Sequence, residues 1–432
     1  MQRRVFIKSG ALALLTLGLS PSFLRRSVFA QELARGAATL GGGKTLVCIF
    51  QRGAADALNV VVPFGDKQYY AMRPNIAIAQ PGRPEGAIDL DGYFGLHPAL
   101  APFKPLWDRG LLAPIHAVGS PSATRSHFDA QDFMESGTPD VKSTRDGWLN
   151  RYLAVTGTCE AGCAAPHTGG PSAEHEQSPF RAVAMAAQTP RILDGPAPAV
   201  AMSSLEDFTI RASGSDAERR LEALYTRGTT DLVHGAGSDL FEAIKILRAA
   251  NPQRYSPQNG AVYPNTQFGQ RMRQIAQLIK ARVGLEVAFA DIGGWDTHVN
   301  QGGATGKLAS RLDDFARSIA AFVTDLGDQM EDVLILTMSE FGRTARQNGT
   351  GGTDHGHAGC MFVIGGSVKG QKIHGRWPGL APEQLNEGRD LALTTDFRAL
   401  FSEVVAKHLG AQRLDLIFPG YSGSEKDWPG VL

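Results

Sequence analysis

Short apolar runs alternate with helical patterns along most of the chain. The runs are five to eight residues long and rich in β-branched and aliphatic side chains, which is typical of strands buried on both faces of a sheet. They lie at residues 45–50, 111–118, 285–291, 333–338 and 360–364.

Two further segments repeat apolar residues at helical spacing. Residues 311–326 carry a continuous apolar face, which predicts an amphipathic helix. Residues 396–409 predict a second helix, with Thr394 or Thr395 as its N-cap and Gly410 as its C-cap. Helices that alternate with strands indicate an α/β fold with a mostly parallel central sheet in three layers.

The mature chain is interpreted as one domain over residues 31–432. Within it, residues 215–283 are mostly helical by pattern and predict a helical covering region. Residues 159–178 mix glycine, proline, serine and histidine, which predicts a long surface loop.

The first thirty residues have the features of an export signal. Arg3 and Arg4 precede an apolar run at 10–19, and Val28-Phe29-Ala30 offers a cleavage site. This start resembles a twin-arginine signal, which predicts the twin-arginine export machinery as a partner, a periplasmic location and no stable membrane insertion after cleavage. An uncleaved membrane anchor is the alternative.

The charge composition narrows the function classes. Lys+Arg and Asp+Glu both number 43, which excludes a strongly basic nucleic-acid binder. Residues 1–30 carry five basic and no acidic side chains, so the mature chain has a formal charge of −5. A site that gathers several carboxylates needs a cation or shared protons to be stable.

Chemistry in such sheets lies beyond the carboxyl ends of the strands. The segments that follow or precede the predicted strands are rich in carboxylates and imidazoles, a combination that suits a divalent ion such as zinc or manganese. A purely structural hydrogen-bond network is the alternative, with Asp56 as an ordinary turn or helix cap. The candidate metal ligands are Asp56, Asp296, His298, Glu340, Asp354, His355 and His357.

One strand end also offers a nucleophile. Ser126 lies where a helix is predicted to begin, and the positive end of a helix stabilises an anion there. His127 could transfer a proton, and Arg125, Arg52 or Arg343 could neutralise developing charge. Ser126 as a plain N-cap is the alternative.

Several motifs together resemble a known family. They are Arg52-Gly53-Ala54-Ala55-Asp56, Leu96-His97-Pro98, Arg125-Ser126-His127-Phe128, Gly294-Trp295-Asp296-Thr297-His298, Ser339-Glu340-Phe341-Gly342-Arg343-Thr344 and Gly352-Thr353-Asp354-His355-Gly356-His357. On these residues the chain is similar to the domain-of-unknown-function family 1501, a group of exported proteins. The resemblance implies the fold of the alkaline phosphatase and sulfatase superfamily, with a metal-dependent hydrolase site at the strand ends.

The superfamily's roles can be placed on individual residues. Asp56 would bind one metal ion, Asp296 and His298 another, and His357 would be the last metal-binding histidine. Ser126 falls at the nucleophile position. Glu340-Phe341 replaces the usual Asp-His pair, and Ser120-Pro121 departs from the sulfatase pattern, which argues against a formylglycine nucleophile. Asp354 and His355 have no assured counterpart.

These observations predict a metal-dependent hydrolase of anionic phosphate or sulfate esters, with zinc as the candidate ion. A non-enzymatic periplasmic binding or assembly protein is the alternative from another class, and phosphotransfer or isomerase chemistry on a phosphosugar is a third. Cys48 and Cys360 are expected inside strands. Cys159 and Cys163 are expected either to form a disulfide or to bind zinc with His167 or His175.

Overall fold

The computed structural model describes residues 43–157, 178–205 and 255–432. The chain divides into two compact units. The larger unit contains residues 44–145, 257–276 and 289–432, and the smaller unit contains the remaining described residues. No helix within the described ranges is long and apolar enough to cross a membrane.

Several sequence predictions lie outside the described residues. They concern the export signal at 1–30, the bond between Cys159 and Cys163, and residues 206–254 of the predicted helical region. The described end of that region, from residue 255 to residue 283, contains the whole of one 14-residue helix, Gln267–Lys280.

The elements follow one another in an alternating order. The strands are β1 (Thr45–Arg52), β2 (Val61–Val62), β3 (Ile88–Asp89), β4 (Gly95–Leu96), β5 (Leu112–Gly119), β6 (Ala182–Ala184), β7 (Val200–Ala201), β8 (Val287–Gly293), β9 (Val333–Met338), β10 (Gly359–Gly365) and β11 (Thr395–Asp396). The α-helices are α1 (Ala57–Val60), α2 (Lys67–Met72), α3 (Lys104–Asp108), α4 (His127–Ser136), α5 (Trp148–Gly157), α6 (Gln267–Lys280), α7 (Lys307–Leu326), α8 (Phe397–Lys407) and α9 (Leu414–Ile417). Short 3₁₀ helices lie at Pro98–Phe103, Arg191–Leu193, Gly327–Glu331, Pro382–Gln384 and Glu425–Asp427.

The larger unit is built on the central sheet. Its strands lie in the order β11–β5–β10–β9–β1–β8, and β2, β4 and β3 form a separate small sheet. Strand β1 runs parallel to β9 and β11 runs parallel to β5, whereas β10 is antiparallel to both of its neighbours. The predicted α/β class with a mostly parallel sheet is confirmed, and the reversed direction of β10 is a feature that the apolar pattern did not predict.

In the smaller unit, β6 and β7 pair in parallel, with Val183 opposite Val200. The buried Asn150 side chain of α5 donates to the carbonyl oxygens of Leu193 and Ala197, both at 2.8 Å. These bonds satisfy backbone groups of an irregular segment that no helix or strand would otherwise satisfy.

The five predicted strands are all present, and their bounds differ from the predictions by at most two residues. Cys48 in β1 and Cys360 in β10 are free thiols and are buried, as expected. The predicted caps of α8 were wrong. The helix ends at Lys407 with His408 as its C-cap, two residues before Gly410. The N-cap also differs. Asp396 occupies that position, and its carboxylate accepts a hydrogen bond from the Arg398 backbone N–H at 2.9 Å. Thr395 lies in β11 instead.

An aromatic cluster in the core supports the loop that follows β8. Trp295 is fully buried and its ring lies 5.8 Å from that of Phe315, which also contacts Phe103 at 5.7 Å. The indole Nε1 of Trp295 donates to the carbonyl oxygen of Ile292 at 2.9 Å. Because this side chain is both packed and hydrogen-bonded, it holds the next residue, Asp296, at the sheet edge.

Candidate metal centre

The loops that carry the predicted site residues all meet at one edge of the sheet in the larger unit. Strands β1, β5, β8 and β9 end there, and β10 begins there, because it is antiparallel to β5 and β9. The segment between β9 and β10 therefore leaves and re-enters the sheet at the same edge. It contributes both Glu340 after β9 and His355 before β10.

Glycines allow these loops to approach one another. Gly53 has a φ of +119°, and a methyl group placed on it would lie 2.7 Å from the Asp296 backbone nitrogen. A methyl group on Gly352 would overlap the carbonyl oxygens of Thr297 and His298. A side chain at either position would push the loop after β8 away from its neighbours.

Three side chains place metal-ligating atoms close together. Single ligand atoms of His127, Asp296 and His355 all lie within 4.8 Å of one another. The Asp296 carboxylate lies between the histidines, with Oδ2 at 3.5 Å from His127 Nε2 and Oδ1 at 3.4 Å from His355 Nε2. His298 joins the group, because its Nε2 lies 3.0 Å from Asp296 Oδ1 and 3.0 Å from His355 Nε2.

The other ring nitrogen of each histidine is held by an acceptor. His127 Nδ1 lies 2.7 Å from Glu340 Oε1, His298 Nδ1 lies 2.8 Å from Asp354 Oδ1, and His355 Nδ1 lies 2.9 Å from the Arg125 carbonyl oxygen. Carbonyl and ionised carboxylate oxygens only accept hydrogen bonds, so we assign the proton of each neutral ring to Nδ1. All three Nε2 lone pairs are then directed toward the Asp296 carboxylate.

This arrangement fits a bound cation. Two donors that are each about 2.1 Å from one zinc ion lie at most about 4.2 Å apart. The distances from the Asp296 oxygens to the three Nε2 atoms are 3.0 to 3.5 Å, and the Nε2 atoms of His298 and His355 are 3.0 Å apart, so these distances meet that limit. Two Nε2 lone pairs only 3.0 Å apart, on His298 and His355, repel each other unless a cation or a proton lies between them. His127 Nε2 is buried and has no hydrogen-bond partner within the described residues.

The charges of the site also favour a divalent ion. Asp296, Glu340 and Asp354 are carboxylates, and Arg343 is the guanidinium that contacts one of them. With the histidines neutral, the three carboxylates outnumber this guanidinium, and Arg389 also acts on Asp354 through its charge. A bound cation would compensate the negative charge that remains.

Arg343 fixes the position of Asp296. Its buried guanidinium donates to Asp296 Oδ1 at 2.5 Å and to the backbone carbonyl oxygens of Ala54 at 2.7 Å and Thr353 at 3.0 Å. It thereby joins the loops after β1, β8 and β9. Burial alone would raise the pKa of Asp296, but the hydrogen bond and charge of Arg343, together with His298 and His127, lower it below its ordinary value.

Glu340 accepts a hydrogen bond from His127 Nδ1, the ring nitrogen that does not face Asp296. Its Oε1 accepts from His127 Nδ1, from Gln131 Nε2 at 2.9 Å and from the Gly53 backbone N–H at 2.8 Å. Although burial would raise the pKa of Glu340, these donors lower it. The hydrogen bond to Glu340 in turn raises the pKa of His127 against the effect of burial, and burial is the main cause that lowers the pKa of His355.

Asp56 lies outside this cluster. It is fully buried, and both of its oxygens accept from Arg73, at 2.6 and 2.9 Å. Gln301 Nε2 donates to Asp56 Oδ2 at 2.6 Å. Because its charge is compensated by Arg73 and both oxygens are engaged, Asp56 forms a buried ion pair that joins the segments after β1 and β8.

Two other predicted residues lie near the cluster but not in it. His357 is half-buried, and burial lowers its pKa, but its ring does not belong to the three-residue ligand group. Ser126 is the N-cap residue of α4, is exposed, and makes no capping hydrogen bond with its side chain. It lies between Arg125, whose carbonyl oxygen holds His355, and His127.

Some supporting residues were not predicted. Gln131 lies one helical turn after His127, so the helical spacing could have indicated that it shares the same face. Asn348 Nδ2 donates to the His298 carbonyl oxygen at 2.9 Å and contacts Asp354 Oδ1 at 3.1 Å. Arg73 follows Asp56 by 17 residues, and no sequence pattern connects the two.

The predicted arginines are engaged in ion pairs. Arg125 binds Glu387 at 2.7 Å and Asp390 at 2.8 Å. Arg52 binds Glu135 and Asp291, both at 2.9 Å.

Comparison with known proteins identifies the family to which the chain belongs. No curated protein matches the chain. Residues 114–415, which include His127, Asp296, His298 and His355, match the family described as "Protein of unknown function (DUF1501)". This match covers more than two thirds of the chain and agrees with the resemblance seen in the motifs. The chain therefore belongs to the DUF1501 family.

Proposed function

We propose that this protein is an exported, metal-dependent hydrolase of phosphate or sulfate esters with an alkaline phosphatase-like fold. The observation that carries the proposal is the convergence of three histidine Nε2 atoms on one carboxylate, with each Nδ1 held by an acceptor. Histidines that ligate metals are oriented in this way by an outer acceptor.

The residues that would hold the ion are Asp296, His298 and His355, with His127 completing the set. A divalent ion bound there would polarise an ester oxygen and lower the pKa of a nearby hydroxyl or water. Both ring nitrogens of His127 are then in use, which favours a ligand role over its predicted role as a proton carrier. Glu340 and Asp354 keep the rings in place.

Ser126 is the nucleophile of this proposal. The residues on either side of it, Arg125 and His127, are held by hydrogen bonds. Its own hydroxyl is exposed and makes no capping hydrogen bond. The first N–H groups of α4 are directed to the same place, where they would stabilise negative charge on an ester oxygen. Arg125 is pre-oriented beside Ser126 by Glu387 and Asp390.

The alternative of a non-enzymatic protein was motivated by Glu340 in place of an Asp-His pair. Since Glu340 binds His127 Nδ1, that replacement is compatible with one metal centre. The export route through the twin-arginine machinery and the periplasmic location belong to the proposal as well, supported by Arg3 and Arg4 and the apolar run at 10–19.

The test is elemental analysis of protein exported by its own leader, followed by a panel of aryl phosphates, phosphodiesters and aryl sulfates. We expect one equivalent of a divalent metal and hydrolysis of at least one ester class, lost on chelation and restored by the metal. Metal-free protein that is inactive across the panel after metal addition would contradict the proposal. Metal retention without hydrolysis would favour the non-enzymatic alternative.

A further inference from the structure

Helix α7 begins with two basic side chains that lie along the loop after β8. Lys307 Nζ donates to the Val299 carbonyl oxygen at 3.0 Å. A methyl group placed on Gly294 would lie 2.7 Å from Arg311 Nε, so the guanidinium packs directly on the Gly294 backbone. Lys307 and Arg311 are four residues apart and therefore share one face of α7.

These two cations differ from the arginines around the candidate centre. Arg343, Arg125 and Arg52 are each in contact with at least one carboxylate. In the part of the chain that the structure describes, neither Lys307 nor Arg311 has an ion-pair partner. Like charges four residues apart destabilise a helix, so the fold does not gain from this pair.

The loop beneath the pair carries two of the candidate ligands. Gly294 precedes Asp296 by two residues and Val299 follows His298 directly, so each contact point lies within about 7 Å of a ligand residue along the backbone. Lysine and arginine have long, flexible stems. Both cations are therefore anchored on the same loop that carries Asp296 and His298.

We propose that Lys307 and Arg311 recognise a second negatively charged group of the substrate, separate from the ester that is cleaved. This inference rests on the proposed function and narrows the substrate class to esters that carry a further anion, such as a carboxylate or a second phosphate or sulfate. The metal centre binds the ester, and the pair selects the rest of the molecule.

The test uses non-hydrolysable ligands, so that it does not depend on turnover. Calorimetry on the metal-loaded protein compares 4-carboxyphenylphosphonate with 4-carbamoylphenylphosphonate, which keeps the phosphonate but lacks the carboxylate charge. We expect the carboxylate to bind about three- to tenfold more tightly, as two exposed ion pairs allow, and this preference to fall with added salt.

Variants assign the effect to the pair. Lys307→Gln and Arg311→Gln should each remove most of the preference while the metal content and the melting temperature stay unchanged. Arg317→Gln is the matched control, because Arg317 is an exposed cation of the same helix, paired with Asp313. It should leave the preference intact.

The outcomes separate the two proposals. Equal affinity for the two phosphonates, or a preference that survives in both variants, would overturn the role of Lys307 and Arg311 and leave the metal-dependent hydrolase standing. If the binding of the two phosphonates does not require the metal, the proposed function fails and this inference fails with it.

Discussion

His298 and His355 face each other with their Nε2 atoms 3.0 Å apart, while the Nδ1 atom of each already has an acceptor. Two neutral rings cannot share a hydrogen bond in this arrangement, because both would present a lone pair. A cation or a proton between the two Nε2 atoms would remove this repulsion, and the proposed metal ion is such a cation.

Substitution of His355 should weaken metal binding, whereas substitution of His357 should not. His355→Ala removes one of the converging nitrogens, so we expect at least a tenfold loss of metal affinity, measured by mass spectrometry of metal in dialysed protein. His357→Ala, two residues away, is the matched control. Equal loss in both variants would show that the ligand set has been assigned wrongly.

Glu340→Gln should weaken metal binding about 10- to 100-fold without removing a ligand, because the hydrogen bond that orients His127 loses its charged acceptor and keeps at most a neutral amide oxygen. Competition with a coloured chelator measures the affinity. Glu403→Gln is the comparison. Glu403 is equally buried, but its carboxylate accepts from the Gly430 and Leu432 backbone N–H groups. Metal affinity that is unaffected by Glu340→Gln would argue against its role behind His127.

Asp56→Asn should destabilise the fold and spare the metal. The variant leaves the buried Arg73 charge uncompensated, which costs about 3–5 kcal/mol of unfolding free energy. Urea denaturation measures this loss, and metal analysis of the folded fraction should still give one equivalent. Asp56→Asn with Arg73→Met should recover part of the stability. A folded Asp56→Asn protein without metal would restore Asp56 to the ligand set.

His116 should make stability depend on pH. Its Nε2 donates to the Val61 carbonyl oxygen at 2.9 Å and its Nδ1 accepts from the Ala117 N–H at 3.1 Å, so the buried ring is neutral. Burial lowers its pKa from 6.5 to about 4, against the opposing effect of the Val61 hydrogen bond. The unfolded chain therefore binds the proton more tightly, and His116's contribution to stability is complete above pH 6.5 and lost as the pH falls toward 4.

The expected slope from this group is at most about 1.4 kcal/mol per pH unit in that window. His116→Gln keeps a polar side chain but cannot titrate, so its unfolding free energy should fall less steeply than that of the unmodified protein. Phe94→Leu removes a ring that packs on His116, 5.5 Å from it, and should keep the steep slope. Identical slopes for His116→Gln and the unmodified protein would refute the assignment.

Much of the framework could be predicted from the sequence. Strands such as β9, buried on both faces, appear as continuous apolar runs, and their ends locate the loops that carry chemistry. The grouping of Asp296, His298 and His355 follows from that logic. It required only that these loops leave the sheet at one edge.

The division of roles among the acidic residues could not be predicted. Asp296 faces the histidine Nε2 atoms, whereas Glu340 and Asp354 face Nδ1 atoms, and the difference depends on the direction of each side chain over a few ångströms. Asp56 has the same chemistry, but its partner is Arg73 on another segment. Which side chain pairs with which cannot be inferred from the residue type or from the distance along the chain to a strand.

The reversed direction of β10 has a consequence for how the centre is assembled. Pairing of β9 with β10 closes a loop of about twenty residues, and closing a loop of that length costs little chain entropy. Arg343, Asp354 and His355 lie in that loop, so a single hairpin-like unit supplies an anchor, an orienting acceptor and a ligand. One half of the centre is thus encoded locally, and only His127, Asp296 and His298 have to be recruited from distant parts of the chain.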